Sequence, residues 1–161
     1  MARTPLKVTT RVIDKDRGWK RVLKEASIKK HVVVGIRGDD DPRTGDALGN
    51  VELGAIHEFG LGNVPERSFI RDPVDANLNK YRPLTKALGR KVYSLKLSLT
   101  QALNVLGLKA QADMRNAITR GIAPGLKPAT KAQKRKKGKP KNTPLILTGQ
   151  LKSAITYKVT R

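Results

Sequence analysis

Between Leu99 and Ile118 the residues Leu99, Leu103, Leu106, Ala110, Met114, Ala117 and Ile118 recur at three- and four-residue spacing. On a helix this spacing lines one face with apolar side chains. A stripe of that length has to be covered, so the rest of the chain must supply a layer to pack on it. Gly121 ends the helix. Upstream, the helical pattern reaches back to Asp72-Pro73, with Pro at the first helical position. Pro83 and Gly89 predict a break or kink in that first half.

Candidates for the covering layer lie at both ends of the chain. Residues 6–13 alternate apolar with polar, as a half-buried strand does. His31-Val32-Val33-Val34-Gly35-Ile36 is a β-branched run suited to a buried strand, and residues 154–159 predict a final one. Trp19, Val22, Leu23 and Ala26 mark a short amphipathic helix over 16–29. A second helix is expected from Asn50 as N-cap to Gly60, through Val51, Leu53, Ala55, Ile56 and Phe59. An extended loop follows to Pro73, and Thr148-Gly149-Gln150-Leu151 reads as a short helical turn. No internal repeat is visible. The pattern is α+β: one domain over residues 1–161, a small mixed or antiparallel sheet packed against a long helical segment, with extended loops.

Charge speaks about partners rather than fold. The net charge is +21, and no carboxylate follows Asp113, whereas 13 Lys and Arg residues do. Such a surface calls for a polyanion, an acidic protein face or fixed neighbours that tolerate it. Residues 122–143, rich in Pro, Gly and Lys, read as a mobile basic loop. Within it Lys131, Lys134, Arg135, Lys136, Lys137, Lys139 and Lys141 are candidates for contact with DNA phosphates or an acidic partner. No aromatic residue interleaves with them, which argues against base stacking on a single strand. Without cysteine there is neither a disulfide framework nor a thiolate metal site. No apolar run approaches the roughly 18 residues of a membrane span, and Met1 to Pro5 lacks the apolar segment of a secretory signal.

Catalytic signals are thin. His57-Glu58 would need a second His four residues after the first to form a zinc-protease helix, and position 61 is Leu. A helix-surface His beside a capping or ion-pairing Glu is the better reading. Asp39, Asp40, Asp41 and Asp46 crowd one loop without the alternating ligands of a calcium site, and read as a solvated acidic loop. No metal, cofactor or catalytic set is expected. A hydrolase built on His57 and Glu58 is the weakest of three classes, after a structural protein and a free nucleic-acid binder.

Two stretches go beyond composition. One is Leu53-Gly54-Ala55-Ile56-His57-Glu58-Phe59-Gly60 followed by Val64-Pro65-Glu66-Arg67-Ser68-Phe69-Ile70-Arg71. The other runs from Pro124-Gly125-Leu126 through Thr148-Gly149-Gln150-Leu151 to Ile155-Thr156-Tyr157. In matching order over roughly residues 30 to 160, they resemble the signature stretches of tailed-phage morphogenesis proteins: tail-completion, head–tail joining and minor tail proteins. Val64 takes a position where Ile is usual, Leu147 one where Asp is common, and Ala154 one where Ser is usual. The resemblance implies a virion subunit, assembled in the host cytoplasm into a ring, often sixfold. That ring would lie between head connector and tail tube or terminator, near packaged double-stranded DNA. Independently of the family, Gly60 suits a left-handed helix end, Pro65 stiffens the loop, Phe69 is an apolar anchor between Arg67 and Arg71, and Thr148-Gly149 turns the chain into the last strand. Ile56, His57, Glu58, Phe59, Gly60, Pro65, Arg67, Phe69, Arg71, Thr148, Gly149 and Leu151 are thus expected to act as scaffold, with a candidate subunit contact through Arg67, Phe69 and Arg71.

Overall fold

A computed structural model of the chain describes residues 18–38, 48–136, 143–146 and 148–161. The strand expected at 6–13, the acidic loop at 39–46, Lys137, Lys139, Lys141 and Leu147 lie outside the described residues. The described elements, in chain order, are α1 (Trp19–Ser27), β1 (His31–Ile36), α2 (Asn50–Phe59), α3 (Arg71–Ala76), α4 (Leu78–Tyr93), α5 (Leu99–Arg120), α6 (Pro128–Lys136), α7 (Gln150–Ser153) and β2 (Ile155–Thr160).

Helix α5 is the axis of the molecule. Ser98 starts it: its hydroxyl accepts from Gln101 N–H while the Gln101 side chain accepts from Ser98 N–H, a reciprocal cap on two otherwise orphaned donors. Met114, Ala117 and Ile118 of the apolar stripe are buried, and Gly121 ends the helix at φ 91°. The two strands pair antiparallel in register, Val32 opposite Val159, Val34 opposite Tyr157 and Ile36 opposite Ile155, and pack on α5. The architecture is α+β, as the pattern predicts. Gly107 makes the contact close, because a Cβ there would run into the Tyr157 ring and approach Val32 Cγ2 to 2.9 Å. The core gathers Phe69, Met114, Ile118, Leu151 and Ile155, joined by Val34, Ile36, Ile70, Leu145 and Ile146.

Several elements differ from the sequence expectation. Strand β1 is half-buried rather than buried, with His31 and Val33 facing out. His31 sits at its exposed start, a ring nitrogen 2.8 Å from Thr160 Oγ1. In α1, Val22 is buried but Trp19 and Leu23 are 63% and 50% exposed. Gly49, not Asn50, is the N-cap of α2, and Asn50 is fully buried inside the first turn. Helix α3 begins at Arg71, two residues before Pro73. Pro83 and Gly89 do not break the long segment, since both lie inside α4. The breaks fall at Asn77, whose amide donates to Pro73 O at 2.7 Å, and at 94–98, where Leu95 adopts φ 58°. Leu95 then packs on Gly18, so this turn also anchors α1. Tyr81 on α4 donates to Asp113 Oδ2 at 2.8 Å, and Lys109 pairs with Oδ1 at 2.6 Å, tying α4 to α5.

The largest departure concerns the basic segment. Residues 128–136, read as part of a mobile loop, form helix α6. Pro128 occupies its first position, and Ala129 to Lys136 contain no further Pro or Gly. Ala, Lys, Gln and Arg are strong helix formers, and the composition of the wider stretch masked them. No helix among the described residues is long and apolar enough to cross a membrane.

Candidate functional site

The candidate site is built from the carboxyl end of α2. Gly60, at φ 66°, closes that helix in the left-handed region, and Leu61 N–H bonds back to Ile56 O at 3.0 Å. The turn sends the following loop back along α2, where Arg67 N–H meets His57 O at 2.7 Å. Gly60 cannot carry a side chain here, because a Cβ would stand 2.8 Å from Glu66 N. The hairpin brings residues 66–71 over Glu58.

Glu58 is 3% exposed. Its Oε1 accepts from Ser68 Oγ (2.8 Å), Arg71 N–H (3.0 Å) and Arg71 Nε (3.0 Å), and its Oε2 from Phe69 N–H (2.8 Å) and Ile70 N–H (3.0 Å). Burial alone would raise its pKa. The N–H groups of Arg71 and Ile70, the Ser68 hydroxyl and the Arg71 guanidinium outweigh burial and hold it below the usual carboxylate range. The Ile70 and Arg71 N–H groups open α3, so Glu58 caps from one helix the start of another. Ser68 Oγ adds a bond from Asp72 N–H at 3.1 Å.

The two arginines divide the remaining work. Arg67 is buried, and its guanidinium donates to the carbonyls of Pro124 (2.9 Å) and Gly125 (3.2 Å). Arg71 is half-exposed, reaches Glu58 O and Glu66 Oε1 besides the Glu58 carboxylate, and lies 5.0 Å over the Phe59 ring. Phe69 is fully buried in the core. Of the candidate contact set Arg67, Phe69 and Arg71, the first two therefore face inward, and Arg71 has the outward share. Ile56, Pro65 and Gly149 are half-buried, Leu151 is buried, and Phe59 and Thr148 are exposed. Gly149 adopts φ 84° ahead of α7.

His57 does not join Glu58 in any reactive pair. It lies half-buried beside Arg67, and burial, then the Arg67 charge, lowers its pKa and favours neutral imidazole. With five donors on its two oxygens, Glu58 has no free lone pair for general-base or metal chemistry.

Among the described basic residues, Arg135 and Lys136 are exposed and Lys131 is partly so. Lys134 departs from the expected phosphate-contact role. It is 5% exposed, and its ammonium donates to Thr143 O (2.7 Å) and Ile146 O (2.6 Å), clamping α6 to the segment that leads into α7. Beside it lies a cavity of about 290 Å³, lined by Leu53 and His57 of α2, by Leu126, and by Leu145, Ile146 and Leu151 from the carboxyl-terminal segment. Nothing in the sequence separates Lys134 from its neighbours in the basic run. The Ser98 cap, by contrast, stands in the Ser-x-x-Gln spacing, a signal the apolar stripe overshadows.

Comparison with protein-family models, with curated proteins and with solved structures finds no match to this chain.

Proposed function

We propose that the chain is a structural subunit of a tailed-phage particle, acting at the neck or tail-completion layer between head connector and tail. The observation that carries this reading is where the two signature stretches meet. Arg67 of the first donates to the Pro124 and Gly125 carbonyls of the second, and Phe69 of the first shares the core with Leu151 and Ile155 of the second. The residues that carry the resemblance thus form one folding unit around a saturated carboxylate, as suits a building block rather than a reactive centre. Phe59 and Leu61 at the end of α2, and Trp19 and Tyr93 elsewhere on the surface, are left exposed, apolar area of the kind that neighbouring subunits cover. In this reading the chain assembles with copies of itself into a ring against connector and tail-tube or tail-terminator proteins. The exposed cations of α6 would face DNA or an acidic partner ring.

A free, architectural nucleic-acid-binding protein is the second reading, favoured by the net charge of +21. Peptide mass spectrometry on purified particles of the encoding phage, with heads, tails and whole virions separated, distinguishes them. The neck reading expects the chain in virions at a few copies each, in ring-like stoichiometry. Its absence from well-purified virions would sink that reading and leave the nucleic-acid binder.

A further inference from the structure

The cavity between α2, α6 and the segment entering α7 has no part in the structural role proposed above, yet it has the composition of a ligand site. At about 290 Å³ it has room for roughly ten water-sized groups, near the lower end of small-molecule pockets. Its walls are largely aliphatic, from Leu53, Leu126, Leu145 and Leu151. Lys134, nine-tenths buried, is a charged group on that wall.

Lys134 has partners but no counter-ion among the described residues. Two of its three N–H groups meet the carbonyls of Thr143 and Ile146. Its ammonium makes no ion pair with a carboxylate of the described residues. Burial holds its pKa below the usual lysine range, with no neighbouring charge acting against it. A buried ammonium is costly unless an anion compensates it. His57 on the same wall is held neutral by burial and by Arg67, so the lining presents one cation rather than two.

We infer that this cavity binds a small apolar monocarboxylate, its hydrocarbon body among Leu53, Leu126, Leu145 and Leu151 and its carboxylate on the Lys134 ammonium. The third N–H of Lys134 supplies the charge-assisted hydrogen bond. Lys127, just before α6, and Arg135 and Lys136 on it are exposed and raise the local concentration of anions. One positive charge matches one carboxylate, and the volume sets the length of the chain.

The test is a titration of the full chain, methyl-labelled for NMR, with octanoate, octanol, octylamine and acetate. Octanoate is expected to shift the Leu53, Leu145 and Leu151 methyls saturably. Octanol should bind about tenfold more weakly or worse, the size of one hydrogen bond to a charged group. Octylamine and acetate should leave the methyls in place. In Lys134→Met, checked as folded by its own methyl spectrum, octanoate should lose its advantage over octanol. Equal binding of octanoate and octanol by the wild type, no shift at the cavity methyls, or undiminished octanoate binding by the folded variant would each overturn the assignment. The wild-type series decides even if the variant fails to fold.

Discussion

Glu58 sits at 3% exposure with its charge intact because five donors replace the water it has lost. Glu58→Gln keeps the shape but turns an acceptor oxygen into an NH₂ group facing donors that cannot accept. That change is expected to cost about 2–3 kcal/mol, the scale of losing hydrogen bonds to a charged group, read as a lower urea midpoint at neutral pH. The carboxylate also gives stability a pH dependence of known sign. Its folded pKa lies below the unfolded one, so its contribution is complete above the unfolded value of about 4.3. It is lost as pH falls through the folded pKa. Denaturation of the wild type should therefore ease in that acid window, and the difference between wild type and Glu58→Gln should shrink there. A gap that stays constant down to pH 2 would mean that folding does not lower the Glu58 pKa, and one that widens on acidification would mean that Glu58 is protonated in the fold. The adjacent His-Glu pair was legible as structural because no second histidine stood at metal spacing. The five donors were not legible, since all of them belong to residues 68–71, which only the Gly60 turn folds back over Glu58.

Among the elements, α5 and its contact with the sheet decide the rest. The helix was legible from one stripe of apolar residues, and β1 and β2 from their β-branched runs. The Gly107 position was not, because its importance comes from Tyr157, fifty residues away, resting where a Cβ would be. Alanine in mid-helix normally stabilises by about 1 kcal/mol over glycine. Here the Tyr157 ring must move and Val32 must give way, so Gly107→Ala is expected to be net destabilising by about 1–3 kcal/mol, the usual range for an overpacked core. A thermal or urea melt of the variant measures it, and a gain in stability would show that the ring relocates freely. The same local competition explains the misplaced breaks. Pro83 and Gly89 are tolerated within α4, whereas the 94–98 turn carries neither Gly nor Pro and is held by Leu95 packing on Gly18. Tertiary contact won over the propensity of single residues. In α6 the opposite happened: good helix formers between Pro128 and the following segment built a helix that bulk composition concealed.

At the scale of the whole molecule, the first described strand pairs with the last, and the long helix lies against both. The charge is distributed over that frame unevenly, because every carboxylate lies at or before Asp113. Lys134 shows why counting cations overstates a binding face, since one of the seven candidates is inside the protein as a clamp. Removing the basic segment wholesale would thus unfasten α6 from residues 143–146 as well as remove charge. The informative variant takes the exposed cations alone, Arg135→Gln with Lys136→Gln. Duplex DNA binding by the full chain is expected to weaken steeply with salt and to be indifferent to sequence, as phosphate contacts are. If both side chains meet phosphates, the double variant should flatten the slope of log K against log salt by up to about 1.8, near 0.9 per contact, with its melting curve unchanged. An unaltered slope in the folded double variant would take this end of α6 away from DNA. It would assign these two charges to an acidic protein neighbour, where the same substitutions should instead slow assembly at low ionic strength.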